Sequence, residues 1–426
     1  PYFPGYTFDH GKSVYRGVEV GEGGYAEGVP GMYGNVALLD ISSMHPHSAI
    51  AEVLFGPRFT KAFREIVEGR VSIKHEAWVI VNEMLDGKLT PFIQKVIDGK
   101  ITSQALANAL KTAINSVYGL TSASFDNPFR DPRNIDNIVA KRGALFMIDL
   151  KNEVLKRGFK VAHIKTDSIK IPDATPGIIQ FVMEFGERYG YTFEHEATYD
   201  RMCLVNDAVY IAKYKDADEC QKMYGYIPGD NKKKGGKWTA TGTQFQIPYV
   251  FKKLFSREEI LFEDMCETKS VSSYLYLDLN EGLPDVTKYE KEFDKVESDY
   301  KKGLISDTIF EKTCASLKPL IEEGHAYHFI GKVGQFCPMK NGYGAGLLMR
   351  EKDGKYYAAT GSKGYRWLES EMVKQLNKLD GIDRSYYDKQ VDDAVETISQ
   401  YGDFEWFVSD DPYVKELGAN DADVDY

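Results

Sequence analysis

Two short apolar segments that each meet an aspartate set the architecture open to this chain. Residues 35–39 read NVALL and run into Asp40, which is typical of a buried strand with a carboxylate at its exit. Residues 160–164 and 169–171 predict the two strands of a hairpin that carries Asp167 at its turn. Because adjacent strands of one sheet can hold such residues side by side, the two aspartates are expected within a few ångströms of each other.

The predicted elements around these strands are mostly helical. The first helix is amphipathic, because its apolar residues recur at helical spacings, and Gly158 stops the third. This order of elements favours an α+β fold in which helices cover one face of an antiparallel sheet. Beyond about residue 224 the sequence predicts mixed helices and strands without clear boundaries. In chain order, the assigned elements are helices at residues 58–84, 103–117, 135–157 and 176–190, and a strand at residues 208–212.

The size and composition of the chain exclude several classes of protein. Its 426 residues, 43% of them hydrophobic, allow two or three packed units. No run of ~18 apolar residues occurs, so no membrane span is expected, and no secretory signal is recognised. The five cysteines form no CxxC pair, which favours free thiols in a reducing compartment and a cytoplasmic location.

The net charge of −11 disfavours nucleic-acid binding if only the sum is considered. The distribution is uneven, however, because residues 231–238 read NKKKGGKW and the last residues are acidic. The lysines of this basic segment could bind the phosphates of a DNA duplex. The alternative is that the segment is a solvated loop without such a role. These lysines are Lys232, Lys233, Lys234 and Lys237.

Two carboxylates held close together repel each other, and a divalent cation that prefers hard oxygen ligands, Mg²⁺ first, relieves that repulsion. A pair of such ions suits in-line phosphoryl transfer, because it steadies both the attacking and the leaving oxygen. Asp40 and Asp167 are therefore candidate metal ligands. Acids at strand ends are also common on protein surfaces, so these features alone leave a role without metal open.

A cationic cradle is predicted beside the two acids. Lys111, Asn115 and Tyr118 lie at positions i, i+4 and i+7 on one face of the second predicted helix. Arg70 and Lys74 share a face of the first predicted helix in the same way. Pointing inward, these side chains would hold a triphosphate. The alternative is a solvated basic face with Tyr118 in the core.

Four stretches in this order resemble the family B DNA polymerases, especially the viral and phage members. DISSMHPHS at residues 40–48 is similar to the family motif DxxSLYPS, and KTAINSVYG at residues 111–119 is similar to KxxxNSxYG. HIKTDS at residues 163–168 is similar to YxDTDS, and GGYAEGVPGMYGNV at residues 23–36 resembles the GGxV segment. The resemblance covers about residues 23–242, which is roughly half of the chain.

The resemblance implies template-directed DNA synthesis by a right-hand fold. A ferredoxin-like antiparallel palm is expected at residues 1–57 and 111–223, and helical-hairpin fingers at residues 58–110. A mixed α/β thumb and a C-terminal region with an acidic tail are expected at residues 224–426. No stretch similar to the family's exonuclease motif FDIET is present, so a polymerase region without that domain is expected.

The resemblance also implies roles for individual residues. Asp40, Asp167 and the carbonyl of Ile41 would hold two Mg²⁺ ions, for which Mn²⁺ can substitute, and the primer 3′-hydroxyl would displace pyrophosphate from the incoming nucleotide. The nucleotide-binding residues would be Ser43, Met44, His45, Arg70, Lys74, Lys111, Asn115 and Tyr118. The DNA-binding residues would be Gly23, Gly24, Thr166, Ser168, Tyr210, Lys232, Lys233, Lys234 and Lys237.

Three positions depart from the family pattern. Lys165 stands where YxDTDS has its first aspartate, so the metal affinity is expected to differ. His45 replaces the tyrosine of SLYP, and it is expected to act as the gate that excludes ribonucleotides. The family's KxY element is matched only in part, by Ala208-Val209-Tyr210.

Two alternatives to a nucleic-acid-primed enzyme remain open. Lys165 allows a catalytically inactive, structural subunit, although both aspartates are kept. A protein-primed polymerase would carry an insertion between Gly119 and Asp167, and that interval holds only a loop, a helix and a strand. The expected partners are a DNA primer-template and deoxynucleoside triphosphates, with an exonuclease or a processivity factor as further candidates. A viral source would place the protein in the cytoplasm of a bacterial host cell.

Overall fold

The computed structural model describes residues 6–9, 12–20, 24–135, 137–216 and 237–409 of the chain. The chain divides into two compact units. The first comprises Pro1–Gln246 and Glu396–Tyr426, and the second comprises Ile247–Val395. Each unit combines helices with antiparallel strands, which confirms the predicted α+β class.

The first unit contains a three-stranded and a seven-stranded sheet, both antiparallel in every strand pair of the described residues. Its strands are β1 (Tyr6–Asp9), β2 (Lys12–Tyr15), β3 (Val18–Val20), β4 (Ala26–Gly28), β5 (Gly31–Ile41), β6 (His163–Lys165), β7 (Ser168–Pro172), β8 (Phe193–Asn206), β9 (Val209–Tyr214) and β10 (Trp238–Thr241). The small sheet has the order β1-β2-β3, and the large sheet has the order β10-β9-β8-β5-β7-β6-β4. The strand that ends near Asp40 is therefore central in the large sheet.

Helices flank this sheet and connect its strands. They are α1 (Met44–Ala51), α2 (Gly56–Lys74), α3 (Trp78–Glu83), α4 (Thr90–Ile97), α5 (Ser103–Thr121), α6 (Pro132–Ile135), α7 (Ile138–Lys156), α8 (Pro176–Arg188) and α9 (Thr243–Gln246), with a 3₁₀ turn at Met84–Gly87. The helix predicted at residues 58–84 is wrong in extent, because the chain breaks after α2, where Glu76 has a φ of 55°. The break lets Val81 of α3 pack with Ile93 and Leu106 in a separate small core.

The two faces of the large sheet differ, because successive side chains of a strand point to opposite sides. On β5, Leu39 and Ile41 join a core with α7 and α8. Val36 and Leu38 join a different cluster on the other face, together with tyrosines of β8 and β9. Asp40 is two residues from Leu38 and shares its face, so it points away from the two covering helices.

Strand β8 is the central strand beside the site that the sequence did not predict. It pairs with β5 over nearly its whole length and with β9 on its other side. Charged residues such as Glu194 and Glu196 interrupt its apolar pattern, because they lie beside the end of β5 that carries Asp40. The remaining strands near the site, β5, β6 and β7, agree with the predicted strand and hairpin.

The second unit has one five-stranded antiparallel sheet with helices around it. Its strands are β11 (Glu267–Asp278), β12 (Tyr327–Met339), β13 (Leu347–Lys352), β14 (Lys355–Ala358) and β15 (Arg366–Glu369), in the order β14-β13-β11-β12-β15. Its helices are α10 (Pro248–Phe251), α11 (Thr287–Lys301), α12 (Asp307–Glu322), α13 (Ser370–Gln375) and α14 (Arg384–Ser399), with short irregular turns at Lys252–Ser256, Phe262–Met265 and Leu379–Gly381. Across the described part of the chain, no helix is both long enough and apolar enough to cross a membrane.

The last described element, α15 (Phe404–Val408), belongs to the first unit. Arg201 of β8 fixes it by donating from Nη1 to the carbonyl oxygens of Trp406, Phe407 and Ser409 at 2.5, 3.1 and 3.0 Å. The guanidinium is 2% exposed and also pairs with Asp200 at 2.8 Å. A single buried cation thus ties this segment to the sheet.

Candidate active site

A pocket of about 300 Å³ lies in the first unit where five elements meet. The end of β5, the start of α1, the inner faces of α2 and α5, and the β6–β7 turn form its walls. Its lining residues are Asp40, Ile41, Ser43, Met44, His45, Pro46, Arg70, Lys111, Ile114, Asn115, Tyr118 and Asp167. Residues that are far apart in sequence therefore converge on one cavity.

The two predicted aspartates enter this pocket from adjacent strands. Asp40 pairs with Ser168 across the β5–β7 ladder. Asp167 lies in the β6–β7 turn, and its carbonyl oxygen accepts a hydrogen bond from the Ile41 N–H at 2.8 Å. This bond ties the turn to the end of β5, so the two acids have fixed relative positions.

The tight turn before Asp167 depends on Thr166 and its neighbour Gly24. Thr166 has a left-handed φ of 53°, and its N–H donates to the carbonyl of Tyr25 at 2.8 Å. A Cβ on Gly24 would lie 3.0 Å from Cγ2 of Thr166, and Gly24 itself has a φ of 117°. Only glycine fits here without strain. Gly24 and Thr166, predicted as DNA contacts, are thus packed against each other, and Gly23 lies outside the described residues.

The electrostatics of the acid pair are unfavourable without a cation. Burial raises the pKa of Asp40 well above its usual range, and the neighbouring Asp167, Glu196 and Glu194 raise it further, while Lys170 opposes the shift. The pKa of Asp167 is also raised, again chiefly by burial. Two half-buried carboxylates that destabilise each other's charged form are what a bound divalent cation would stabilise.

The donor set fits magnesium better than a softer metal. It consists of the carboxylates of Asp40 and Asp167, with the Ile41 backbone beside them. Within the described ranges, no group of three or more His, Cys, Asp or Glu side chains is arranged to hold a metal. Mg²⁺ commonly binds through one or two carboxylates and takes its other ligands from water and substrate phosphates. The residues present are therefore suited to a metal that arrives with a phosphate-bearing substrate.

Polar groups for an anion lie on the opposite wall. Helix α1 begins after Ser43 and its first residues line the same cavity, and the N–H groups of Met44 and His45 have no acceptor inside the helix. Arg70 of α2 donates from Nη1 to the Ser43 hydroxyl at 3.0 Å, while its buried Nε has no hydrogen-bond partner among the described residues. An unsatisfied guanidinium N–H beside a helix N-terminus is suited to a phosphate oxygen.

Helix α5 supplies the rest of the anion-binding wall. Lys111, Asn115 and Tyr118 all line the pocket, as their helical spacing predicts. Ile114, buried between them, packs with Phe63 and Val67 of α2 and holds the two helices together. Lys74 lies one turn beyond Arg70 on α2, outside the lining.

His45 and Tyr118 form a flat wall on one side of the pocket. Their rings are stacked with centroids 5.6 Å apart and an interplanar angle of 5°. Burial lowers the pKa of His45, and the nearby Asp167 opposes this only in part, so the ring is neutral at pH 7. Its buried Nδ1 has no hydrogen-bond partner in the described parts of the chain. The pair can accept a flat or ring-shaped group lying against it.

The other predicted DNA-contact residues that the structure describes lie outside the pocket lining. Ser168 is buried, and its hydroxyl donates to the Lys165 carbonyl at 3.3 Å. Tyr210 is 7% exposed and packs against His163 and Tyr199 in the sheet core. Lys237 is exposed at the start of β10. Lys232, Lys233 and Lys234 lie outside the described residues.

Several residues with an electrostatic effect on the site were missed from the sequence. Glu194 pairs with Asp40 across the β5–β8 ladder, and Glu196 lies at the bulge beside it. Lys170 lies on β7, three residues after Asp167, and interacts electrostatically with both aspartates. All three are charged residues within strands of the large sheet. Their proximity to Asp40 can be recognised only when the strand pairing is known.

Comparison with known proteins finds matches among solved structures. No protein-family model matches the chain, and no curated protein matches it either. Among solved structures, the chain is similar to the family B DNA polymerase from the hyperthermophilic archaeon Pyrobaculum calidifontis, with a TM-score of 0.41 and 14% sequence identity. The match covers 88% of this chain and 46% of that polymerase, so this chain spans about half the length of the relative.

Proposed function

We propose that this chain is a DNA-directed DNA polymerase, which adds deoxynucleotides to a primer 3′-hydroxyl under the direction of a template. The observation that carries the proposal is the composition of the pocket. It combines two half-buried aspartates, a cationic wall and a flat aromatic wall, and all of its lining residues except Arg70 come from the three stretches that resemble polymerase motifs. A triphosphate, a sugar and a divalent cation each have a complementary surface there.

The residues of the cationic wall would bind and orient the triphosphate. Arg70 and Lys111 offer charge-assisted hydrogen bonds to phosphate oxygens, and the N-terminus of α1 after Ser43 offers backbone N–H groups. Asn115 provides a neutral donor between them. Since these groups are already in place, they stabilise negative charge on the leaving pyrophosphate without reorganising.

The acid pair would hold the metal. Two Mg²⁺ ions, or Mn²⁺ in their place, bound to Asp40, Asp167 and the Ile41 carbonyl would supply the charge that makes the primer hydroxyl a nucleophile and stabilises the transition state. The chain's own contribution is to hold both half-buried carboxylates at neighbouring strand ends, where the Ile41–Asp167 hydrogen bond fixes their spacing. Positioning of this kind accounts for a large part of phosphoryl-transfer catalysis.

The proposed right-hand fold assigns the palm, fingers and thumb to regions of the chain. The palm, at residues 1–57 and 111–223, would contain every strand of the large sheet except β10, and residues 58–110 would be the fingers. Residues 224–426 would form the thumb and C-terminal region. The proposal includes a nucleic-acid primer, a viral origin, and an exonuclease or processivity factor acting from a separate chain or region.

A catalytically inactive, structural subunit is the main competing function. Lys165 favours it, since this lysine stands where the resemblance has an acid. The retention of both aspartates in a cavity that also has a cationic wall favours the enzyme, because a purely structural role does not require two half-buried acids that repel each other.

Primer extension in the presence of Mg²⁺ tests the proposal. Asp40→Asn and Asp167→Asn should each reduce extension by at least about hundredfold, because loss of one metal ligand removes several kcal/mol of transition-state stabilisation. The matched control is Asp173→Asn, an exposed acid just beyond the other end of β7. The control should extend primers at the parental rate. Extension by either active-site variant at the level of the control would refute the assignment.

A further inference from the structure

Lys170 is a buried cation for which the proposed chemistry has no role. It lies on β7, three residues after Asp167, and is 2% exposed. A lysine in the interior of a sheet is costly unless other groups compensate its charge. An apolar residue would satisfy the strand pattern at this position, so the lysine calls for a specific explanation.

The immediate contacts of Lys170 are neutral. Its Nζ donates to Nδ1 of His163 at 3.1 Å, and Nε2 of the same ring donates to the Asp207 carbonyl at 3.0 Å. The Nζ also lies 4.9 Å from the centre of the Tyr210 ring. Within the described parts of the chain, no carboxylate lies at ion-pair distance from Lys170. These contacts fix the side chain but do not neutralise it.

The charges that Lys170 faces belong to the candidate active site. On the β5–β7 ladder Lys170 pairs with Leu38 and Ser168 pairs with Asp40, so Lys170 and Asp40 share one face of the sheet. Asp40, Asp167 and Glu196 all raise the pKa of Lys170, whereas burial and Lys165 lower it, to about 8 overall. The amine therefore remains mostly protonated at neutral pH. Its positive charge interacts with the two carboxylates from the same face of the sheet.

We propose that Lys170 is a positioning residue that serves as a built-in counter-cation for Asp40 and Asp167. Without a divalent cation, its charge offsets the repulsion between the two acids and keeps the pocket folded. With a divalent cation present, the same charge opposes binding and weakens the affinity. The metal would then bind strongly only together with a triphosphate, whose own charge restores the balance. This inference rests on the proposed function, since it takes the two aspartates as metal ligands.

Two substitutions separate the charge of Lys170 from its hydrogen bond. Lys170→Met removes both the charge and the donor to His163, whereas Lys170→Gln removes the charge and keeps an N–H donor. The matched control is Lys213→Met, because Lys213 is another buried lysine of the same sheet, 7% exposed and 5.6 Å from the Trp238 ring. It does not contribute to the shifted pKa of either aspartate.

The measurements are Mn²⁺ affinity by calorimetry or by electron paramagnetic resonance, and the melting temperature without metal. Both Lys170 variants should bind Mn²⁺ at least about tenfold more tightly than the parent, because a charge repelling the ion has been removed. Both should also melt at a lower temperature than the parent when metal is absent. The Lys213 variant should melt lower without any gain in affinity.

Unchanged or weaker Mn²⁺ binding by both Lys170 variants would overturn the inference. An effect confined to Lys170→Met would also overturn it, because the hydrogen bond to His163 would then be the cause. If Lys170→Met does not fold, Lys170→Gln decides the question alone, because it removes the charge and keeps a donor. Failure of the proposed function looks different, since in that case the parent would not extend primers, or Asp40→Asn and Asp167→Asn would bind Mn²⁺ and extend primers as the parent does.

Discussion

His45 lies against Tyr118 on the wall where the proposed function places the incoming sugar. A ring at this position leaves little room for a 2′-hydroxyl, so it should exclude ribonucleotides by shape. His45→Ala should raise the ratio of kcat/KM for ribonucleotides to that for deoxyribonucleotides about tenfold to hundredfold, since a steric overlap costs about 1–3 kcal/mol. His45→Tyr is the control and should lower the ratio. If the ratio is the same in His45→Ala as in the parent, a residue other than His45 excludes ribonucleotides.

Lys111 lies on the exposed rim of the pocket, one turn of α5 before Asn115. Its ammonium group can bind the triphosphate and can also offset the charge that develops on pyrophosphate, so Lys111→Ala should raise KM and lower kcat for nucleotides. Lys100→Ala is the control, because Lys100 is 67% exposed and pairs with Asp98 at 3.1 Å, away from the pocket lining. Steady-state kinetics equal to those of the control would mean that Lys111 faces solvent.

At the level of elements, the buried Arg201 of β8 should be essential for holding α15. Arg201→Met would leave Asp200 and three backbone carbonyls without their donor, and removal of one partner of a buried pair costs about 3–5 kcal/mol. Urea denaturation should show this loss of unfolding free energy. Arg188→Met, at an exposed position in the last turn of α8, should change stability by less than about 0.5 kcal/mol. Equal stability of the two variants would contradict the proposed anchoring.

The elements also show what the sequence could and could not predict. Strand β5 and the β6–β7 hairpin were predicted because an apolar run and a turn are local signals. Strand β8 was missed because Glu194 and Glu196 interrupt its apolar pattern where it runs beside Asp40. The break after α2 was missed because a left-handed Glu76 leaves no mark in the spacing of apolar residues.

The residues of the candidate site also divide into those that the sequence could predict and those that it could not. Asp40, Arg70 and Lys111 could be selected in advance, since helical spacing or a strand end already marks them. Glu196 and Lys170 could not, because they influence Asp40 through strand pairing between distant segments. The sequence therefore predicts residues that line the cavity more readily than residues that tune its charge.

For the whole molecule, the two units should respond differently to nucleotide and metal. Every residue that lines the pocket belongs to the first unit, so binding energy is available only to that unit. Ligand at about 100 times its dissociation constant stabilises the binding-competent fold by about 2.7 kcal/mol. Hydrogen exchange with Mg²⁺ and a deoxynucleoside triphosphate, without DNA, should therefore slow in α1, α2, α5 and the β6–β7 turn.

The five-stranded sheet of the second unit should keep its exchange rates under the same conditions, because no pocket residue comes from it. Asp167→Asn supplies the control, since loss of a metal ligand should abolish the protection in the first unit while leaving the basal exchange pattern intact. Protection spread equally over both units would mean that the ligand acts through a different surface. Protection that persists in Asp167→Asn would separate nucleotide binding from the acid pair. Protection limited to the first unit and dependent on Asp167 is the pattern that a metal-assisted triphosphate site should give.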